Sequence, residues 1–541
     1  MTVFAYQKHQ TLLPFRTNGE FFVRHMLPVA FTALLLSVPA FAQTVDGPGA
    51  KQLSDDLSRY VGKQAIDKGV LKVSAEGDAY KISVDLKALV SALPDQKLVK
   101  FDLAPYALLV KPRSDGSWDV SMDFSQGGSF EFNGPEGKQS TQFSIKDGKG
   151  SGVYDPKLAA FTSATSSLGA MTMTSQDAKQ NIEVSTGAGT ATVTGTKAAD
   201  GGVDFAMSQK ISSFVEAIKF NDAESGLNFP VTIKSPELSV EASGRGLRSK
   251  PLLDLLAFAV ANEDENTLKA NQAQLKSLLL AALPVWQRID GTYAFKDFAV
   301  DSPVGTFGAT QLSTAFGMDG VAQSGTLNYG IKATGLTVPQ QLLPSWTVSL
   351  LPTDIDLNFG GANIDLDTMA KKAIEAFDLN REPPLPAEFG DQLTADFMAK
   401  TPKIVIGHST VKNKDMEIAL EGEMTFPGPN PEKPDANLTV DVAGFDKIVA
   451  NLQEAAKSEP EVGQYVPVAL MVKGFAKTLP DGKLEWAVNA KPDGSVTVNG
   501  VMLKPADPAV DDSVDDNDGA DDDSGDGAGN DNGGAGAKLN P

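Results

Sequence analysis

The chain has 541 residues, a formal net charge of −22, three histidines and no cysteine. Length allows about three domains of roughly 150 residues, and 41% hydrophobic content reads as a folded, glycine- and serine-rich chain rather than a disordered one. The acidic balance argues against nucleic acid and anionic membrane surfaces, and without thiols there is no disulfide, lipoprotein anchor or thiolate metal site.

The first predicted element is a secretory signal over residues 1–42. Arg24 precedes an apolar run from Leu27 to Ala42, which closes on Ala40-Phe41-Ala42 before Gln43. A positive flank, a short apolar run and small residues two apart describe cleavage after Ala42. The run contains Pro28 and Pro39 and is shorter than the roughly 20 residues of a spanning helix, a retained anchor being the alternative. Export of this kind places the mature chain in the periplasm.

Residues 43–234 read as a β-rich hairpin region. It opens with a helix carrying Leu53, Leu57, Tyr60 and Val61 on one face. Alternation then takes over through Tyr80, Ile82, Val84 and Leu86. An Asp115-Gly116 turn precedes Trp118, Val120, Met122 and Phe124, spaced two apart, and Phe130 and Phe132 face Phe143 and Ile145 in the next hairpin. The pattern predicts antiparallel strands with one buried face.

Residues 235–505 read as three units of strand, helix pair and strands. The first has a strand with Leu238, Val240 and Ala242, the helix "PLLDLLAFAVAN", and a striped helix with Leu268, Leu275, Leu279 and Ala282 that Pro284 stops. The second runs from "DIDLNFGG" through "DTMAKKAIEAFDL" and "PAEFGDQLTADFMAK" to "KIVIG" and "DMEIALEGEMTF". The third runs from "NLTVDVAG" through "FDKIVANLQEAAK" and "EVGQYVPVALMVKGFAK" to "KLEWAVNA" and "SVTVNGVML". Ordinary α+β alternation is the competing account, because the copies share pattern and not residue identity.

At 1.5 Å per residue, "PLLDLLAFAVAN" reaches only about 18 Å, against about 30 Å of hydrocarbon, so it does not span a membrane. A short helix that is apolar nearly all round, next to a striped partner, wants burial against a sheet. Core packing is the favoured reading, and Leu256 and Phe258 are the residues that would touch an apolar ligand if the helix lined a binding surface instead.

The tail, residues 506–541, holds eleven Asp against one Lys and has almost no apolar surface, which predicts a disordered, solvating segment. Its Asp and Gly spacing mimics a calcium loop, but counting from Asp522 the twelfth place is Gly533 where a glutamate is needed, so no specific metal site is read there.

Residues for chemistry are few. After the signal only His408 remains, and a lone histidine between strands neither forms a histidine zinc pair nor joins a serine, because no G-x-S-x-G is present. Arg245, Arg248 and Lys250 near a helix start offer an anion contact or a solvated turn. Carboxylates are abundant enough that a carboxylate-dependent hydrolase is the alternative function, with a calcium-responsive acidic protein as a third. No catalytic, cofactor-binding or metal residue is assigned.

Segments such as "LRSKPLLDLLAFAVA", "LKANQAQLKSLLLAALP" and the closing "LPDGKLEWAVNAKPDGSVTVNGVMLKP" resemble the uncharacterised proteobacterial envelope proteins grouped as domain of unknown function 2125, which are distantly AsmA-like. The resemblance covers the mature chain to about Leu503. It implies a periplasmic β-rich body with no catalytic residues, in a wider group associated with lipid handling; the usual N-terminal anchor of that group is lacking here. The expected protein is thus an α+β, β-rich, exported non-enzyme that binds a lipid or an envelope partner.

Overall fold

A computed structural model describes residues 45–85, 87, 99–134, 137–221, 228–344, 346–427 and 433–508. The signal expected over residues 1–42, the alternating position Leu86 and the tail from residue 509 lie outside the described residues.

Helix α1 (Gly47–Val61) begins where Asp46 accepts a hydrogen bond from the Gly49 amide at 2.8 Å and Pro48 sets the first turn. It stops at Gly62, whose φ of 82° a side chain would resist. Its Leu53, Leu57 and Tyr60 are buried, as their spacing requires. A short helix α2 (Lys63–Asp67) leads to the sheet.

Strands β1 (Leu71–Glu76) and β2 (Ala79–Val84) form its first hairpin. Five long paths follow, each interrupted once. They are β3 (Val99–Leu103) with β4 (Tyr106–Pro112), β5 (Trp118–Asp123) with β6 (Gly127–Gly134), β7 (Gly137–Lys146) with β8 (Lys149–Asp155), β9 (Ala160–Leu168) with β10 (Ala170–Gln176), and β11 (Gln180–Thr186) with β12 (Gly189–Lys197). Then β13 (Val203–Phe220) and β14 (Pro230–Leu247) run the full distance, β13 pairing with β12 through its first half and with β11 through its second.

The meander continues through β15 (Arg288–Ser302), β16 (Gly305–Asp319), β17 (Gly325–Thr334), β18 (Asp354–Ile364), β19 (Lys403–Lys412), β20 (Glu417–Thr425) and β21 (Asp435–Ala443). The short β22 (Lys477–Thr478), then β23 (Leu484–Ala490), β24 (Val496–Val498) and β25 (Val501–Lys504) finish it. Pairing is antiparallel throughout and joins the described strands in one sheet. The β-rich, antiparallel reading of the sequence is therefore correct.

Among the described residues, the longer α-helices stand between strands of the meander after β14, β18 and β21. Between β14 and β15 lie α3 (Ser249–Ala261), α4 (Glu265–Ala270) and α5 (Gln272–Ala282); α6 (Leu366–Ala376) and α7 (Phe389–Ala399) lie between β18 and β19; α8 (Phe445–Ser458) and α9 (Tyr465–Gly474) precede β22. The stripe from Leu268 to Ala282 reads as one helix but is broken at Asn271. That side chain donates to Asn262 Oδ1 at 2.7 Å, tying the break to the end of α3.

The interruptions in the long paths fall in register and form a crease across the sheet. Gly187 donates to the Ser212 carbonyl at 2.7 Å; Ser213 lies opposite Pro236, Asp297 opposite Thr310, and Thr310 opposite Gly335. Ser213, Asp297 and Gly335 have φ of 53°, 44° and 61°, a left-handed backbone that lets each strand change direction. Alternation is reset there: Ile211 and Phe214, three apart, join one buried cluster with Leu238 and Val184. Gly335→Val should cost about 1–3 kcal/mol, because φ is positive and a Cβ would stand 2.3 Å from Thr310 Oγ1. Ser213→Gly should be neutral or mildly stabilising. Urea midpoints would check both, and a Gly335→Val protein as stable as wild type would mean the crease tolerates relaxation.

Candidate functional site

Antiparallel register decides which side chains share a face, since residues directly opposite each other point the same way. One row starts at Tyr80 on β2, passes Val120, Val193, Phe316, Phe359 and Leu438, and ends at Val498 on β24. Every member of that row is apolar or glycine. The row one residue over, from Ser121 through Ser151, Thr165, Thr192 and Ser208 to Glu241, is polar. The sheet therefore has an apolar face and a hydroxyl-rich face, which is where much of the serine and threonine in the chain is used.

The two ends of the apolar face are covered. At the N-terminal end α1 lays Leu53 and Leu57 on Tyr80, Ile82, Leu108 and Trp118. At the C-terminal end Phe445 and Ile448 of α8, with Phe475, pack on Val442, Leu484 and Trp486, whose Nε1 donates to the Val472 carbonyl at 2.9 Å. Between them the face is open: Leu327, Phe359 and Ile404 are 46%, 48% and 48% exposed. Gly361 lies between Leu327 and Ile404 in register, and the end of the Ile364 side chain stands 3.0 Å from where a Cβ on it would be. Elsewhere aromatic rings lie over glycines. A Cβ on Gly291 would come within 2.4 Å of the Phe316 ring, and one on Gly244 within 2.2 Å of the Phe205 ring. The floor is consequently smooth, with rings flat on the backbone.

Polar groups are sparse on this face. Burial pushes the Tyr293 hydroxyl above its ordinary range and raises the Glu216 carboxyl. On the hydroxyl-rich face Asp441 is raised by burial and by Glu485 directly opposite it.

The residues singled out from the sequence lie elsewhere. Leu256 and Phe258 are on α3, where Phe258 is buried and half-buried Leu256 packs with Leu253 against Tyr60 of α1 and Ala159; neither is part of the sheet face. His408 is exposed on β19 with Nδ1 3.2 Å from Glu421 Oε2. Arg248 donates from Nη1 to the Asp200 carbonyl at 2.9 Å, and Lys250 pairs with Asp254. The structure does not bring these together. Among the described residues no group of three or more His, Asp or Glu stands close enough to hold a metal, and no helix is long and apolar enough to cross a membrane.

No family model matches the chain, and no curated protein or solved structure is matched by it.

The open stretch on β17, β18 and β19 is not among the sites expected from sequence. A signal was there: "GTLNYGIKATG" and "DIDLNFGG" place Leu327, Tyr329, Ile331, Leu357 and Phe359 at alternate positions. Alternation alone does not say which half of an apolar face its helices will cover.

Proposed function

We propose that this chain is an exported, non-enzymatic protein that holds an apolar ligand, such as an acyl chain, against the open part of its sheet face. The observation that carries the reading is the unbroken apolar row with Leu327, Phe359 and Ile404 half-exposed at its uncovered stretch. Burying such surface releases water at about 25 cal/mol per Å², so a chain laid along the floor gains affinity from contact area alone. Export rests on the signal read at residues 1–42, and the mature chain is expected to begin at Gln43 in periplasmic material.

We also read the chain as a relative of the domain-of-unknown-function-2125 proteins, distantly AsmA-like; its antiparallel β-rich body supports that reading. The three helical interruptions are read as copies of one strand–helix pair–strand unit within residues 235–505. Leu256 and Phe258, the residues read from the sequence as possible apolar-ligand contacts, stand on α3 apart from this face, where Leu256 packs with Leu253 against Tyr60 of α1.

A second reading, docking to an envelope protein, draws on α9, where Tyr465, Val468, Leu470 and Met471 are all exposed.

Two measurements test the first reading. Protein purified from its own periplasm should release an apolar compound on organic extraction and mass spectrometry, and the emptied protein should take up a neutral fluorescent apolar probe. Protein that carries nothing and binds no probe would overturn it.

A further inference from the structure

We propose that the β25 edge of the sheet receives an extended, cationic segment of a partner protein as an added strand. The inference rests on the partner reading drawn from α9 and deepens it; it is independent of the ligand on the open sheet face. Among the described residues β25 pairs with β24 and with no other strand. Its Val501, Met502 and Leu503 are 51%, 59% and 49% exposed, three apolar side chains in a row on a free edge. The one charge on the strand, Lys504, is engaged with Asp507 at 2.8 Å. At β1, which pairs with β2, the edge is guarded instead by exposed Lys72, Ser74 and Glu76. Charges are the usual protection of an edge backbone, so an apolar edge that lacks free ones marks a place where a further strand can pair.

The backbone is set to accept one. The two-residue turn Asn499-Gly500, with φ of 48° and 80°, puts Val501 opposite Val498. Bonding alternates along an antiparallel strand, so the N–H and C=O of the next residue, Met502, face away from β24. The turn is anchored, because Asn499 Nδ2 donates to the Phe475 and Glu485 carbonyls, each at 2.8 Å. Phe475 directly follows α9, so the same anchor ties β25 to the helix whose Val468, Met471 and Val472 are exposed. A strand laid on β25 thus has apolar surface beside it as well as backbone partners.

Charge separates the classes of occupant. Residues 506–541, which begin two positions after β25, hold eleven Asp against one Lys. A second copy joined edge to edge would bring two such segments together, and an anionic membrane surface would meet the same repulsion. A partner segment with Lys or Arg between its apolar residues is drawn in by those carboxylates while its backbone pairs with Met502.

The test is fluorescence anisotropy of labelled ten-residue peptides with the full mature chain at pH 7. One peptide alternates Lys and Val; a second has the same composition with its valines at helical spacing; a third alternates Glu and Val. The first should bind at least about ten-fold more tightly than either of the others. Met502→Pro removes the outward N–H while leaving the Val498–Val501 pair, and should weaken the first peptide about ten-fold with the melting temperature unchanged. Because that variant could disturb the hairpin, Asp511, Asp512, Asp515, Asp516, Asp521 and Asp522 are changed together to Asn as a second variant, which leaves β25 untouched. It should weaken the first peptide several-fold at low salt and make its binding less salt-dependent. Equal binding of the alternating and helical Lys peptides, or a folded Met502→Pro protein that binds like wild type, would overturn strand addition while the partner reading stands. Unchanged binding by the Asn variant would overturn the cationic partner, and a wild-type dimer that Met502→Pro dissociates would assign the edge to a second copy. If the wild type binds none of the peptides, the strand and the partner reading fall together.

Discussion

Trp118→Ala should lower the unfolding free energy by about 3–5 kcal/mol, the usual cost of emptying a buried tryptophan site. Trp118 is 2% exposed, and its ring meets Tyr80 edge-on with centroids 6.3 Å apart. Both are covered by Leu53 and Leu57 of α1, so the void would lie between helix and sheet, where neither can collapse without shifting the other. Domains are typically stable by only 5–15 kcal/mol, so the loss is a large part of the total. Urea unfolding followed by far-UV circular dichroism would measure it. A loss below about 1 kcal/mol would mean that α1 is not packed on the sheet as described.

Phe359→Asp combined with Ile404→Asp should reduce uptake of a neutral apolar probe by more than about ten-fold, or roughly 1.4 kcal/mol of binding free energy. Both side chains are half-exposed on the uncovered stretch, so removing them leaves no closed cavity, and stability should change by about 1 kcal/mol or less. Two carboxylates placed there must stay hydrated, and a ligand chain lying over them would strip that water away. Thr192→Asp, on the hydroxyl-rich face, is the matched control and should bind like wild type. Undiminished uptake by the double variant would move the binding surface away from β18 and β19.

Much of this architecture was legible in residue order because its forces are local. The α1 stripe and the alternation through Tyr80, Ile82 and Val84 each express one period of one element and are buried as that period demands, and the Asp115-Gly116 turn joins β4 to β5. The pairing of distant strands was not legible. Val193, Phe316 and Leu438 share a row only because many registers are stacked, and no short window contains that information.

The crease hid more. The left-handed backbone at Ser213 resets the alternation of β13 without shifting its register, so Glu216 falls on the apolar face although Ile211 and strict spacing by two would put it on the other. Likewise the change of pattern at residue 234 is no break in the sheet, because β14 runs through it. Leu256 and Phe258 stand in the most apolar run of the mature chain, yet apolarity marks burial more often than binding.

The wiring of the meander has a consequence for how the chain becomes a protein. From β13 to β21 each strand pairs with the strand that follows it, and the first paths do the same once each interrupted pair is counted as one. No strand must wait for a partner made hundreds of residues later. Each added hairpin closes a modest loop on an edge already in place, so the entropy of ordering is met in small instalments. Such a chain can assemble from its first hairpin toward its last as it becomes available, and it comes apart from the edges inward in the manner of a stacked repeat protein, with β1 and β25 the least protected against exchange and the strands around the crease the most.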